Sequence, residues 1–167
     1  MTLFGSSSKR RVPAGRLGRE LAHAEHAGWR KLLLVRHGQT DYNIKHLLPG
    51  ELLGIPLNEE GRREARATAE ALLDLPINTI VASPLERTMK TASYLNDGRG
   101  LEIVQDRDLL DMDYGRFSGM CYNDLEWADP AWKRFTTDPL HGPKGVESFA
   151  NVQQRAVRAA EKWPKCW

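Results

Sequence analysis

The residues with the clearest chemical potential lie where short apolar runs end. "KLLLV" (31–35) is typical of a buried strand, and Arg36 and His37 follow it directly. "NTIVAS" (78–83) is a second such run, with Ser83 at its end and Arg87 four residues further on. If these strands are parallel neighbours, their carboxyl ends share one edge of the sheet, which would bring two guanidinium groups, an imidazole and a helix N-terminus together. Such a set predicts a binding site for a tetrahedral anion such as phosphate.

Three residues that follow His37 could add to this site. Gly38 would let backbone come close to an anion, and Thr40 and Asn43 offer a hydroxyl and an amide to its oxygens. The alternative is an ordinary strand end whose polar residues meet water. A solvated Arg87 on an outward helix face would look the same in the sequence.

The elements that must position these residues alternate along the chain. Asn58 is a predicted N-cap for a helix to about Leu75, and Ser83, Pro84 and Glu86 predict a capping box for the next helix. A third strand is expected at 101–105, a helix broken near Pro130 at 123–135, and a last helix from Glu147 to Pro164. This order predicts an α/β domain with a mostly parallel sheet flanked by helices.

Composition excludes several functional classes. The 167 residues suffice for one domain, and no apolar run reaches the roughly 18 residues that cross a bilayer. Two cysteines without a CxxC pair favour a reducing, cytoplasmic location. His23 and His26 are the nearest approach to a metal-binding spacing and have no further ligands nearby, so no metal site is predicted. Beyond its basic N-terminal segment, the chain has no basic patch with interleaved aromatic residues, so nucleic-acid binding is not predicted.

The N-terminal segment differs from the rest. Residues 1–31 hold seven lysines and arginines against two glutamates, which gives this segment a net charge of +5. The whole chain has a net charge of +2, so the remaining residues together carry −3. We predict a disordered basic arm over residues 1–30 and a domain over 31–167. An organelle transit peptide and a translation start placed too far upstream are the alternatives.

Five segments, in order, resemble one family. "LVRHGQTDYN" (34–43) looks like the Arg-His-Gly-x-Thr…Asn signature of the histidine phosphatase superfamily, the phosphoglycerate mutase-like enzymes. Four further segments are similar to that family's later motifs: "GIPLNEEGRREA" (54–65), "SPLERTMKTA" (83–92), "LLDMDYGRFSG" (109–119) and "GVESF" (145–149). The resemblance covers about residues 31–162 and implies a three-layer α/β fold.

The resemblance also implies roles for individual residues. His37 would become phosphohistidine, and Arg36 and Arg87 would hold the phosphoryl oxygens with help from Asn43. Asp111 stands where the family usually has a glutamate as general acid, although Asp113 is close enough in sequence to serve instead. The implied activity is a phosphohydrolase for small phosphorylated metabolites that needs no metal or other cofactor, with no membrane partner and an oligomeric state left open.

One expected residue is missing. The family carries a second histidine in a late strand-to-loop segment, and the order of His23, His26, His46 and His141 places none of them there. We therefore expect the chain to be a domain that is incomplete at its C-terminus. Two alternatives to the phosphatase remain: a phosphoglycerate mutase, and an inactive phosphate-binding module.

Overall fold

A computed structural model describes residues 2–6 and 32–163, except for the side chains of residues 2–6, 126 and 128. A four-stranded sheet forms its centre, in the order β2-β1-β3-β4. The strands are β1 (Thr2–Ser6), β2 (Leu33–Val35), β3 (Ile77–Ala82) and β4 (Ile103–Gln105). β3 and β4 pair in parallel, whereas β1 is antiparallel to both of its neighbours, so β2, β3 and β4 run in one direction.

The three strands predicted from apolar runs are confirmed, but β1 was not predicted. The expected disordered arm was wrong for residues 2–6, which pair with β2 on one side and β3 on the other. The rest of that prediction, residues 7–30, lies outside the described residues. β2 and β3 are therefore not direct neighbours, although both still end at the same edge of the sheet because they run in the same direction.

Six helices and two 3-10 turns surround the sheet in the described part of the chain. The helices are α1 (Asp41–Ile44), α2 (Glu59–Ala71), α3 (Glu86–Leu95), α4 (Tyr122–Ala128), α5 (Pro130–Thr137) and α6 (Phe149–Lys162), and the turns span Arg107–Leu109 and Gly115–Phe117. Asn58 caps α2 as predicted, its side chain accepting from the Gly61 N–H at 2.9 Å. This helix ends at Ala71 rather than near Leu75.

The start of α3 differs from the prediction. Leu85 is its N-cap, with extended backbone angles and no side-chain capping bond, so the predicted capping box at Ser83 was wrong. Ser83 Oγ instead accepts from the Leu85 N–H at 3.4 Å, within the turn that joins β3 to α3. The Ser83 hydroxyl therefore accepts its hydrogen bond in the turn that precedes the helix. Pro84 lies in that turn rather than at the first helical position.

The core confirms a three-layer arrangement. Ile80 and Ala82 of β3 pack with Ala92 and Leu95 of α3 on one face of the sheet. Val81 points to the other face, where it packs with Leu109 of the first 3-10 turn and Ala159 of α6. Strand alternation thus divides the end of β3 between two apolar layers, which is why Ile80, Val81 and Ala82 are all buried. A third cluster, rich in aromatic residues, joins α4 and α5 to the loops: Leu48, Met112, Phe117, Leu125, Trp132, Phe135 and Val146.

A close backbone contact fixes the segment after β2 against α2. A Cβ on Gly38 would lie 2.2 Å from the Gly61 carbonyl oxygen, and a Cβ on Gly61 would lie 2.1 Å from the Gln39 carbonyl oxygen. The N–H of Gly38 donates to Thr91 Oγ1 of α3 at 3.2 Å. The N–H of Gly38 is thus already used, and its missing side chain serves the contact with Gly61. Gly38 also lines a cavity with Arg36 and His37, and the close approach of an anion there stays a prediction.

This contact predicts a large loss of stability on a small substitution. Gly61→Ala places a methyl group into backbone that cannot yield, so we expect the free energy of unfolding to fall by about 3 kcal/mol in urea denaturation. Gly98→Ala is the matched control, since nothing lies within 4 Å of its Cβ position and only its positive φ of 71° opposes the change. We expect about 1 kcal/mol there. Equal losses in the two variants would contradict the proposed tight contact.

Candidate active site

His37 lies directly after β2, partly buried, and its ring is oriented by its own neighbour. Nδ1 is 2.8 Å from the Gly38 carbonyl oxygen. A carbonyl oxygen can only accept, so Nδ1 carries the hydrogen of this bond. In the neutral ring, Nε2 is then the nitrogen with a free lone pair, and it is available as a nucleophile or a base.

The surroundings of His37 favour its neutral form. Burial is the largest influence and lowers its pKa below the usual 6.5, because the charged ring is poorly solvated there. The bond to the Gly38 carbonyl opposes this, while the positive charges of Arg87 and Arg36 lower the pKa further. At pH 7 the imidazole is therefore uncharged.

Arg87 is the most deeply buried charge at this edge of the sheet. Its side chain, in the first turn of α3, is 1% exposed. One terminal nitrogen, Nη2, donates to the Gly50 carbonyl oxygen at 2.7 Å and to Asp111 Oδ2 at 3.1 Å. Its Nε is buried and has no hydrogen-bond partner within the described part of the chain. The alternative of a solvated arginine was wrong: this guanidinium lines a cavity with donor capacity to spare.

A cavity of about 790 Å³ joins the predicted site residues. Arg36, His37, Asn43, Arg87 and Asp111 line it, and Ser83 lies on its wall as well. A second cavity, of about 360 Å³, shares Arg36, His37 and Asn43 and extends along α2. Arg36 is exposed, and within the described residues its guanidinium has no ion pair. The cavity thus holds an imidazole nitrogen with a free lone pair and two guanidinium groups, a set that suits an attack on a bound phosphoryl group.

Thr40 and Asn43 have different roles from those the sequence suggested. Thr40 is fully buried and caps α1: its N–H and its hydroxyl both donate to Asn43 Oδ1, at 2.8 and 2.9 Å. Thr40 lines neither cavity. Asn43 lines both, and because its oxygen is occupied by the cap, its amide NH₂ group is the part left for a ligand.

The structure distinguishes Asp111 from Asp113. Asp111 lines the larger cavity, accepts from the Met112 N–H with Oδ1 at 2.9 Å, and contacts Arg87 with Oδ2. Asp113 is exposed, lines neither cavity, and accepts from the Gly115 N–H at 2.8 Å to stabilise the second 3-10 turn. Of the two carboxylates, only Asp111 can reach a ligand bound at Arg87.

The other histidines do not join His37. His46 has a positive φ of 54°, and its Nδ1 lies 2.6 Å from the Tyr122 hydroxyl. His141 lies in the loop after α5 and lines neither cavity. His23 and His26 are outside the described residues. Within residues 2–6 and 32–163, His37 is thus the single histidine of the cavity lining.

Two further residues of this region were not predicted. Tyr114 lines the larger cavity, and burial, aided by the charge of Asp111, raises its pKa to about 12, so its hydroxyl stays protonated. Arg155, in α6, lines the cavity and binds the loop that carries Asp111. Neither could be found from spacing, because Tyr114 lies in an irregular loop and Arg155 reads as one polar position of an amphipathic helix.

The described residues contain neither a cluster of metal-ligating side chains nor a helix that could cross a membrane. No group of three or more histidine, cysteine, aspartate or glutamate side chains is placed there to hold a metal ion. None of the helices in that part of the chain has the length and apolarity required to cross a bilayer.

The environment of His37 predicts an acid-shifted titration. In an NMR titration we expect the ring proton signal that is lost in His37→Asn to have a midpoint below pH 6.5. Because the folded pKa lies below the unfolded one, the folded state binds fewer protons, and the free energy of unfolding falls as the pH drops below 6.5. His37→Asn should remove that part of the pH dependence. A midpoint at or above 6.5 would contradict the buried, cation-flanked environment.

Comparison with known proteins agrees with this geometry. The sequence model of the histidine phosphatase superfamily (branch 1) matches residues 32–165. The chain is 44% identical over 87 residues to the uncharacterized phosphatase PhoE of Bacillus subtilis, covering 52% of this chain and 45% of that protein. It is 32% identical over 127 residues to phosphoserine phosphatase 1 of Hydrogenobacter thermophilus, covering 75% of this chain and 60% of that protein.

A solved structure shows the same likeness in three dimensions. The α-ribazole phosphatase of Shigella flexneri superposes with a TM-score of 0.71 at 26% identity, covering 78% of this chain and 65% of that one. The chain spans less than two thirds of the length of each of these three proteins. With the family match across most of its length and the Arg-His-Gly segment at the cavity, the chain belongs to the histidine phosphatase superfamily.

Proposed function

We propose that this protein is a metal-independent phosphohydrolase that acts on small phosphomonoesters through a phosphohistidine at His37. The observation that carries the proposal is a largely neutral imidazole in the same cavity lining as Arg36, the buried Arg87 and Asp111. The catalytic unit would be residues 31–167, in a reducing cytoplasmic setting, with a small phosphorylated metabolite as its partner.

The reaction would proceed in two displacements. In the first, His37 Nε2 attacks phosphorus in line, an N–P bond forms, and the ester P–O bond breaks with its electron pair leaving on the alkoxide. Asp111, in its protonated form, gives its proton to that oxygen. In the second, water attacks the phosphohistidine while the Asp111 carboxylate accepts a proton, and inorganic phosphate leaves with His37 restored to its neutral state.

The arginines would supply the charge that stabilises the transferring group. Arg87 is buried and held at a fixed place by Gly50 and Asp111, so it does not need to reorganise when the anion arrives. Its unpartnered Nε gives it a donor for a phosphoryl oxygen. Arg36 and the amide of Asn43 would take the other oxygens from the open side.

Asp111 suits the role of general acid because of its position. It contacts the same guanidinium that would bind the phosphoryl group, which brings its carboxyl close to the ester oxygen. The names of the two relatives, a phosphoserine phosphatase and an α-ribazole phosphatase, support a small phosphomonoester as the substrate class.

The nucleophile assignment is tested by trapping the intermediate. Incubation with ³²P-labelled phosphomonoester, followed by rapid quenching in base, should give an acid-labile phosphoenzyme that maps to His37. His37→Ala should lose the label and at least about 10³-fold in turnover, because no other histidine lines the described cavity. His141→Ala is the matched control and should label like the unmodified protein. A label that survives His37→Ala would contradict the assignment.

The roles of Asp111 and Asp113 can be distinguished by how the rate of hydrolysis depends on the leaving group of the substrate. Asp111→Asn should lower kcat/KM for an alkyl phosphate on the order of 10²-fold, because kcat/KM reports the first displacement and the alkoxide then leaves without a proton. Its effect on kcat/KM for p-nitrophenyl phosphate should be small, since nitrophenolate leaves readily as an anion. Asp113→Asn is the control and should leave both rates unchanged. If Asp113→Asn shows the selective loss instead, the acid has been misassigned.

A second candidate, an inactive anion-binding module, is favoured by one observation. The described part of the cavity holds a single histidine, whereas the resemblance implies two. Binding of inorganic phosphate, measured by calorimetry, without any phosphoenzyme would support the module. Transfer of the phosphoryl group between positions of 3-phosphoglycerate, followed by product analysis, would instead indicate a mutase.

A further inference from the structure

The loop between β4 and the second 3-10 turn carries Asp111, and its backbone is held from one side by a single guanidinium. Arg155 of α6 donates from Nη1 to the carbonyl oxygens of Asp108, at 3.1 Å, and Leu110, at 2.5 Å. Its Nη2 donates to the carbonyl oxygen of Asp111 itself, at 3.0 Å. Three carbonyls within four consecutive residues are thus bound by one planar group.

The remaining donors of Arg155 bind Glu147. Nε donates to Oε1 and Nη2 to Oε2, both at 2.8 Å, so the two side chains form a bidentate pair. All five N–H groups of the guanidinium are therefore used. The side chains are 12% and 18% exposed, and the pairing lowers the pKa of Glu147 and raises that of Arg155.

Glu147 extends the contact to the far side of Asp111. Its backbone N–H donates to the Asp113 carbonyl oxygen at 2.8 Å, and its Oε2 accepts from the Asp113 N–H at 3.3 Å. The pair thus binds the loop both before and after Asp111. Asp111 reaches into the cavity with a short side chain, so the place of its carboxyl is set largely by this backbone.

We propose that Arg155, held by Glu147, is a positioning residue that fixes the backbone of residues 108–113 so that Asp111 can transfer its proton to the leaving oxygen. The proposal rests on the phosphatase function proposed above. Proton transfer needs a heavy-atom distance of about 2.6–3.2 Å, so a loop displaced by 1 Å costs on the order of 10²-fold in rate. Arg155 itself does not touch the transferring phosphoryl group, because none of its donors is left for it.

The test is a comparison of two substrates in Arg155→Lys. A lysine ammonium has three donors and no planar fork, so it cannot hold three carbonyls and a bidentate carboxylate together. We expect kcat/KM, which reports the first displacement, to fall on the order of 10²-fold for an alkyl phosphate and to change less than about threefold for p-nitrophenyl phosphate, whose leaving group needs no proton. Phosphoenzyme formation from p-nitrophenyl phosphate should persist.

Arg158→Ala is the matched control. Arg158 lies three residues further along α6 and binds the same loop, but only through the Asp108 carboxylate at 2.9 Å, and its side chain is 55% exposed. We expect neither substrate to be affected. Glu147→Gln provides a second variant, since it keeps the shape of Glu147 and removes its charge, and it should reproduce the selective loss of Arg155→Lys more weakly.

Each outcome decides the proposal. Equal losses on both substrates in Arg155→Lys and Glu147→Gln, with the variants shown to be folded by thermal unfolding, would assign the pair a structural role only and overturn positioning. Unchanged rates would overturn it as well. If the unmodified protein forms phosphohistidine but the losses are not selective, positioning fails and the proposed function stands; if it forms none, both fail.

Discussion

The buried guanidinium of Arg87 is the constraint on which the site depends. A charge taken out of water must be compensated, and here the Gly50 carbonyl and the Asp111 carboxylate compensate it from two different loops. The same contacts bring those loops to the first turn of α3, beside the residues that follow β2. The Nε of Arg87 is buried and has no hydrogen-bond partner among the described residues.

Arg87 is positioned by the layers beneath it. β3 is buried on both faces, so α3, which follows it directly, cannot shift without disrupting the packing of Ile80, Ala92 and Leu95. The contact between Gly38 and Gly61 fixes the other half of the site, because it presses the segment after β2 against α2. The histidine and the arginine thus come from separate strand ends that are held at one place by packing between helices, rather than by contacts with each other.

Asp111 needs a different kind of support. Its loop contains no regular element beyond a single 3-10 turn, and irregular backbone near a cavity exposes carbonyls that must find donors. Arg155 and Glu147 of the C-terminal part of the chain satisfy these groups. Asp111 and Arg87 pair with each other. The rest of their support differs: a polar network holds the loop of Asp111, and the apolar core holds the helix of Arg87.

Local sequence patterns predict the strands β2, β3 and β4, the helices that flank them, the family, and the positions of Arg36 and His37 just after β2 and of Arg87 a few residues beyond β3. These follow from local periodicity and from side chains that directly follow apolar runs. The tertiary structure alone decided that Asp111 rather than Asp113 faces the cavity, that Thr40 serves as a cap, that Arg87 is buried, that residues 2–6 form a central strand, and that Arg155 holds the loop. The Thr40 cap is a local bond with Asn43, three residues away. The others depend on contacts between residues far apart in the chain, such as the 44 positions that separate Arg155 from Asp111, and local periodicity carries no information about such contacts.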